Sequence, residues 1–398
     1  PMKRLFTFIL TLTMAFSFCV NSFAAAATTT TATETTATTA ATTEASADTS
    51  SIQTTGASYG TSKLSGAPDI VAESAVVMDA GTGTVLYGKE ASTKRYPASI
   101  TKVMTALLAV ENCNMSDIIT YSNAAVNGIE AGSSTAGINV GAKLTVEDSL
   151  YALMLVSANE AAAAIAEHIS GSTTEFAKLM TKRAKELGCK NTQFKNPHGL
   201  PDEEHYTTAY DMGLILKEAM KHPEFRKIAG TISYTLKKSD SLTDTLELWN
   251  HAKILRQNSD YYYEYAEGAK TGFTQVALNT LVTYAKKDNV ELICVILKDH
   301  GADKSYTDTA NLFKWAFNQV KAVTPLTNFS LKTAMTENSS IDSAKLDQIQ
   351  LLNSSYDTNF SVLVKKDFDE STLKTAFKLD EDKKTGRLGY IIISCDDK

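Results

Sequence analysis

Two pairs of short apolar runs, far apart in the 398-residue chain, constrain its fold more than any other feature. In the first pair, Ala75–Met78 and Thr84–Tyr87 flank Asp79-Ala80-Gly81-Thr82-Gly83. Apolar runs on either side of a glycine-containing turn read as a β-hairpin. In the second pair, Val276–Tyr284 and Val290–Leu297 flank Lys286-Lys287-Asp288-Asn289, a second hairpin. Between them the periodicity is helical. From Ser99, apolar residues recur at Ile100, Val103, Met104, Leu107 and Leu108, one buried face of a helix starting at or just before Ser99. Thr145-Val146-Glu147-Asp148 is a capping box opening a helix through Val156, and Glu160–Ile169 reads as another that Gly171 ends. Ser172–Glu175 caps a helix running to Gly188, and Thr208–Asp211 one running to about Met220. Hairpins at both ends of a helical middle predict an α+β fold whose sheet is closed by segments distant in sequence.

Lys3 and Arg4 precede an apolar run from Leu5 to Val20 and the small residues Ala24, Ala25 and Ala26. That order predicts a secretory signal peptide over residues 1–26. The run falls short of the roughly 20 residues that cross a bilayer. Phe18 precedes Cys19 where a lipidation cleavage site needs a small residue, so no lipoprotein is expected. From Thr28 to about Ser62 the chain is nearly all Thr, Ala and Ser, with too little apolar surface to offset the entropy of ordering it, and residues 27–66 read as a disordered linker. The catalytic unit is expected over 67–322. Short strand-like pieces such as Phe360–Val364 and Tyr390–Ile393 then predict a small β domain over 323–398. The chain stops soon after Ile393, so an incomplete domain is one reading of it.

A formal charge of -6 is spread along the chain rather than gathered into a basic stripe, so no nucleic-acid partner is expected. The six histidines show no ligand spacing such as HExxH, so neither a metal nor another cofactor is implied. Past the leader, Cys113, Cys189, Cys294 and Cys395 form no CxxC pair and read as scattered buried thiols.

Chemistry concentrates in three short motifs. Ser99-Ile100-Thr101-Lys102 puts a hydroxyl and an amine three residues apart, adjacent on one helical face. A serine hydroxyl is a poor nucleophile until a base takes its proton. Lysine is that base only where burial and a nearby positive charge hold it neutral. Alone the pattern is weak, because SxxK is common in helices. Ser157-Ala158-Asn159 and Lys270-Thr271-Gly272 follow in order, the latter at the head of a strand expected near Phe273. The trio is the pattern of β-lactamases and penicillin-binding proteins. In it Ser99, Lys102 and Ser157 are the candidate catalytic residues, with Ser157 passing a proton toward the leaving amine. Asn159 is positioned to hold Lys102 and a substrate carbonyl. Lys270 keeps Lys102 neutral and attracts a carboxylate, and Thr271 hydrogen-bonds that carboxylate. Gly272 lets the acyl group approach the strand, and the backbone N–H groups of Ser99 and Phe273 form an oxyanion hole.

With these motifs the chain resembles the low-molecular-mass penicillin-binding D-alanyl-D-alanine carboxypeptidases from about Pro68 to Phe317. The resemblance is carried also by Tyr96-Pro97-Ala98 before Ser99, by Asn196-Pro197-His198-Gly199-Leu200-Pro201-Asp202, and by Glu267-Gly268-Ala269 before Lys270. It implies a peptidoglycan stem peptide ending in D-Ala-D-Ala as substrate and β-lactams as acylating inhibitors. It implies an exported enzyme of the cell envelope, with peripheral membrane association left open, and it makes His198 part of a structural turn. Three positions depart from the pattern. Glu160 stands where Asp is usual, Leu278 replaces a common glycine, and Ser305 occupies the place of an arginine that helps bind the terminal carboxylate. Lys304 beside it is a point charge without a bidentate fork. Two other readings stay open at this stage. A β-lactamase would need a water-activating carboxylate, for which Glu203 and Glu204 are available, and a catalytically weak wall-binding protein would keep the fold alone.

Overall fold

The computed structural model describes residues 6–13, 64–238, 242, 244–330, 333–334, 360–382 and 387–395. The chain divides into two compact units, one of residues 56–323 with 362–368, the other of residues 1–55, 324–361 and 369–398. In chain order the elements are β1 (Phe6–Thr13), β2 (Ser74–Asp79), β3 (Val85–Lys89), α1 (Lys102–Asn112), β4 (Ile118–Thr120), α2 (Asn123–Asn127), β5 (Lys143–Thr145), α3 (Val146–Leu155) and α4 (Asn159–Ser170). They continue with α5 (Thr173–Glu186), α6 (Ala209–Ala219), α7 (Pro223–Gly230), β6 (Ser233–Leu236), β7 (Leu246–Trp249), β8 (Ala266–Thr274), β9 (Leu278–Lys287), β10 (Val290–Asp299) and α8 (Ala302–Gln319). The last are β11 (Val320–Val323), β12 (Val362–Lys365), β13 (Leu373–Asp382) and β14 (Arg387–Cys395).

The large unit is built on a five-stranded antiparallel sheet in the order β3-β2-β10-β9-β8. Both expected hairpins form, and they meet because β10 pairs with β2, Val295 opposite Val76. Side chains alternate between the faces of a strand. Val76 and Met78 therefore join Val282, Ile293 and Val295 in one core with Met104 and Leu107 of α1. Ala75 and Val77 join Leu281, Leu292, Cys294 and Ile296 in a second core with Leu312, Phe313 and Ala316 of α8. The central strands are buried on both faces, which is why their sequences read as continuous apolar runs.

The helices start and stop where their caps stand. The hydroxyls of Thr145, Ser172 and Thr208 accept from the backbone N–H groups of Asp148, Glu175 and Asp211, and Gly171 ends α4 in the left-handed conformation at φ +75°. Helix α8 was not legible in the sequence. It has no side-chain cap, and several buried residues of its first half, Ser305, Asp308 and Thr309, are polar, so no apolar period marks its start.

Three boundaries differ from the sequence reading. Ordered packing begins before residue 67, since Leu64 packs against the second core and the Ser65 carbonyl accepts from Trp315 Nε1 at 3.0 Å. Strand β8 begins at Ala266, so Lys270, Thr271 and Gly272 sit inside the strand rather than at its head. The strand read at Phe360–Val364 forms as β12 but pairs with β11, which groups it with the large unit.

In the other unit, β1, β14 and β13 make a three-stranded antiparallel sheet. The run read as the core of an export leader thus contains a strand, in register with β14 from Phe6 opposite Cys395 to Leu12 opposite Gly389. The rest of that leader, and the linker as far as residue 63, lie outside the described residues.

Asp308 fixes α8 to the segment leading into β2. Its carboxylate is 5% exposed and accepts from the backbone N–H groups of Val71 at 2.7 Å and Ala72 at 3.1 Å. Asp308→Ala leaves these donors without an acceptor, and urea unfolding should show a loss of about 2 kcal/mol, of which Asp308→Asn recovers a substantial part.

Candidate active site

The site begins at a short 3₁₀ turn, Ala98–Thr101, that runs directly into α1. Residues three apart eclipse one another in a 3₁₀ turn, so Ser99 and Lys102 lie side by side. Lys102 Nζ is 3.1 Å from Ser99 Oγ. Ala98 just before it holds φ at +52°, a conformation L-residues adopt only under constraint. Part of that constraint is visible: Thr280 Oγ1 of β9 donates to the Pro97 carbonyl at 2.8 Å. Gly199 supplies another part. A Cβ there would stand 1.9 Å from the Ala98 carbonyl oxygen, and its φ is +91°. Only glycine lets the 198–199 turn lie against the turn that carries Ser99.

Lys102 is fully buried, and its amine also donates to Asn159 Oδ1 at 2.7 Å and to the His198 carbonyl at 2.8 Å. Burial pushes its pKa well below the usual lysine range, Lys270 pushes it further, and Glu160 acts in the opposite sense. A neutral amine has two N–H groups, and two carbonyls are already placed to accept them. The remaining lone pair then faces the Ser99 hydroxyl, the arrangement a general base requires. His198 contributes its carbonyl and not its ring, as the turn reading expects. Its imidazole is pushed down to about 3 by burial and by Lys102, and its Nδ1 accepts from the Leu200 N–H at 3.2 Å.

Ser157 and Asn159 sit at the corner where α3 gives way to α4. Ser157 holds φ at +63°, and its buried hydroxyl has no hydrogen-bond partner among the described residues. A strained backbone presenting an orphaned hydroxyl to a cavity marks a group kept for something other than stability. The next residue but two was read as a mild departure, and it does more than that. Glu160 is 2% exposed, and its Oε1 accepts from Thr135 Oγ1 at 2.7 Å and from the N–H groups of Ala136 at 2.7 Å and Gly137 at 3.1 Å. The Asn159 N–H donates to the Ser134 carbonyl at 2.9 Å. The start of α4 thereby clasps the loop whose Ser133 and Ser134 wall the cavity. The motif reading missed this wall, although Glu130-Ala131-Gly132-Ser133-Ser134 has the composition of a loop.

The opposite wall is β8. Lys270 is 1% exposed, its Nζ donates to the Thr271 carbonyl at 2.9 Å, and burial pushes its pKa down to about 7. A Cβ on Gly272 would meet Thr280 Oγ1 at 2.4 Å and Ser99 N at 2.8 Å, so the absence of a side chain is what brings this strand up to the serine. Phe273 follows, 61% exposed, in the lining of the cavity. The β8–β9 hairpin closes through Leu278 at φ +55°, which accounts for a preference for glycine there.

These elements enclose a cavity of about 700 Å³ lined by Ser99, Ser157, Asn159, Thr271, Gly272 and Phe273 among others. Lys102 and Lys270 lie behind that surface. Ser305, in the first turn of α8, is also in the lining, with Tyr306 and His251 beside it. Glu203 and Glu204, the carboxylates considered for a water-activating role, are not in the lining. Glu204 pairs instead with Lys195 at 2.8 Å. Away from the site, Glu111, Glu218 and His222 bring ligand-type atoms within 4.8 Å of one another. There Arg183 donates to Glu111 at 2.6 Å and lies 3.6 Å from Glu218, so these carboxylates serve ion pairs.

Comparison with known proteins agrees with this geometry. A profile of the peptidase family S11, described as D-alanyl-D-alanine carboxypeptidase, matches residues 61–301. The D-alanyl-D-alanine carboxypeptidase DacF of Bacillus subtilis is 34% identical over 337 residues, covering 82% of each chain. The D-alanyl-D-alanine carboxypeptidase of Streptomyces sp. strain K15 is 32% identical over 262 residues, 63% of this chain and 88% of the relative. Among solved structures, the Streptomyces K15 DD-transpeptidase superposes with a TM-score of 0.59 at 31% identity, over 63% of this chain and 99% of that one. A D-alanyl-D-alanine carboxypeptidase of Mycobacterium tuberculosis superposes with a TM-score of 0.59 at 26% identity, over 65% and 95%.

The pH dependence of acylation follows from the two amines. Lys102 accepts a proton from serine only when neutral, so the rate of acylation by a fluorescent β-lactam should rise with pH and level off well below pH 10, the ordinary lysine range. Lys270→Gln removes a like charge that depresses Lys102, so the same inflection should move to higher pH. Stopped-flow acylation across pH 5–10 checks both, and an inflection unmoved by the substitution counts against the coupling.

Proposed function

Because this chain belongs to the D-alanyl-D-alanine carboxypeptidase family of serine peptidases, we propose that it performs that reaction through an acyl-enzyme on Ser99, with Lys102 as general base. The activity itself, removal of the terminal D-alanine from peptidoglycan stem peptides, is that of the family. The observation that carries the residue assignment is the buried Lys102 amine, 3.1 Å from Ser99 Oγ, with its other two contacts both carbonyl acceptors.

In the proposed sequence the Lys102 amine takes the Ser99 proton as Oγ attacks the carbonyl carbon of the penultimate D-alanine. The carbonyl oxygen becomes an oxyanion near the backbone N–H groups of Ser99 and Phe273. The C–N bond then breaks, and the proton held by Lys102 passes through the Ser157 hydroxyl to the departing amine, releasing D-alanine. Water loses a proton to the same base, attacks the ester and frees the shortened peptide with Ser99 restored. The orphaned Ser157 hydroxyl supports the relay, since a hydroxyl already tied to a fixed partner would have to break that bond first. Asn159 orients the base and the substrate carbonyl, and Thr271 and Gly272 line the path of the extended peptide beside β8. A β-lactam presents its strained amide to the same serine and leaves a slowly hydrolysed ester.

The family works on the cell wall, outside the cytoplasm. Among the described residues no helix is long and apolar enough to cross a membrane. We propose export through the N-terminal leader, on the sequence pattern of residues 1–26.

D-alanine release from a D-Ala-D-Ala peptide should fall by about 10⁴-fold or more in Ser99→Ala, with loss of covalent β-lactam labelling in the same preparation. Equal release by wild type and Ser99→Ala would reject the mechanism. Gly272→Ala, whose new Cβ would crowd Ser99 N, should slow acylation by about 10²-fold while thermal unfolding shows the protein still folded.

A further inference from the structure

A second cavity, of about 540 Å³, adjoins the active site, and Tyr306 lines both. Three consecutive tyrosines, Tyr261, Tyr262 and Tyr263, form its wall in the loop before β8. Their surroundings differ. Tyr263 is buried and stacks on Phe313 of α8, ring centroids 5.8 Å apart, so it anchors the loop in the core. Tyr261 stacks on Tyr306 at 5.5 Å, with Lys253 Nζ 5.3 Å from its centroid. Tyr262, 39% exposed, is the ring left open to solvent. Hydrogen bonds fix the loop itself: the Tyr261 N–H donates to Ser259 Oγ at 3.1 Å, the Tyr262 N–H to the Ser259 carbonyl at 3.1 Å and the Tyr263 N–H to the Ile254 carbonyl at 3.0 Å. The aromatic wall is therefore formed before anything binds, which spares the cost of ordering it.

Around these rings stand the exposed side chains of Asp260, Glu264, Asn311 and Lys314. Two carboxylates against one amine disfavour a polyanion. A hydrocarbon partner would bury those polar groups without acceptors or donors, which is costly. What suits both rings and rim is a ligand with apolar faces and a polar edge. A β-linked N-acetylhexosamine has this form: its substituents are equatorial, so the faces of the sugar ring present C–H bonds and the edge presents hydroxyls and an acetamido group. Weakly positive C–H bonds meet the negative face of an aromatic ring, while carboxylates accept from the edge and an amide both donates to it and accepts from it. The stem peptides trimmed by this family hang from a polymer of such sugars. We propose that the tyrosine groove is a subsite for the glycan of the cell wall, placed beside the peptide under attack, with Tyr262 as its open stacking surface. The proposal rests on the peptidoglycan substrate of the family and not on the Ser99 mechanism.

Chitotetraose, a β-linked oligomer of N-acetylglucosamine that carries no peptide, is the direct probe. Titrated into the full-length enzyme in a calorimeter, it should bind saturably with a Kd of about 1 mM or tighter. Tyr262→Ala should weaken that binding about tenfold and Tyr262→Trp should restore it, in variants that still form a β-lactam ester and are therefore folded. An oligomer that fails to bind wild type, or binds it and Tyr262→Ala equally, overturns the inference. Turnover then distinguishes the two sources of the sugar. If the strand carrying the substrate fills the groove, a disaccharide-linked pentapeptide should exceed the free pentapeptide in kcat/KM by about tenfold, and Tyr262→Ala should remove the excess. If a neighbouring strand fills it, the two peptides react alike while the oligomer still binds, and the assignment of the groove stands. Oligomer binding together with full D-alanine release by Ser99→Ala would remove the Ser99 mechanism and leave the glycan subsite intact.

Discussion

Two lysine amines in one dry interior are the constraint on which the rest of this structure depends. Ammonium groups are costly to bury, and a second one nearby raises that cost, so at most one of Lys102 and Lys270 keeps its proton near neutral pH. The surroundings decide which. Burial and the repulsion of Lys270 push Lys102 well below the usual lysine range, whereas burial pushes Lys270 down only to about 7. The asymmetry leaves a base beside the serine at a pH where a solvated lysine would be useless.

Holding such a pair demands rigidity from elements far apart in the chain. The 3₁₀ turn before α1 carries Ser99, the start of α4 carries Asn159, the turn at His198 supplies a carbonyl, and β8 supplies Lys270. The first three are locked by contacts unrelated to chemistry. Thr280 holds the Pro97 carbonyl, Glu160 clasps the loop at Thr135–Gly137, and Gly199 lies against Ala98. Backbone strain gathers at Ala98 and Ser157, where packing from both sides over-determines the conformation. Stability elsewhere in the sheet sustains these strained points, and the two cores on its opposite faces provide it.

Much of this was legible residue by residue. The capping hydroxyls of Thr145, Ser172 and Thr208, the terminating Gly171 and both hairpins could be read because each is a local rule: a side chain satisfying a nearby N–H, or a turn obeying its own dihedral limits. Other parts were not. Helix α8 lacks a capping side chain, and the extent of β8 upstream of Lys270 was hidden because Ala266-Glu267-Gly268-Ala269 lacks β-branched residues and forms a strand by pairing with β9. Glu160 read as a neutral replacement because its importance lies in the loop it binds, which is more than twenty residues earlier in the chain.

The amino-acid sequence alone determined the α+β class, the order of the two hairpins and of α1, α3, α4, α5 and α6, and the identity of the residues bearing a hydroxyl, an amine and an amide at motif spacing, since these rest on periodicity and local hydrogen bonding. Only the tertiary structure decided that Lys102 is dry, that its lone pair faces Ser99, and that among the described residues the Ser157 hydroxyl has no partner and the cavity lining holds no lysine or arginine. Burial and electrostatic coupling are sums over neighbours brought together from distant segments, and no local pattern contains such a sum.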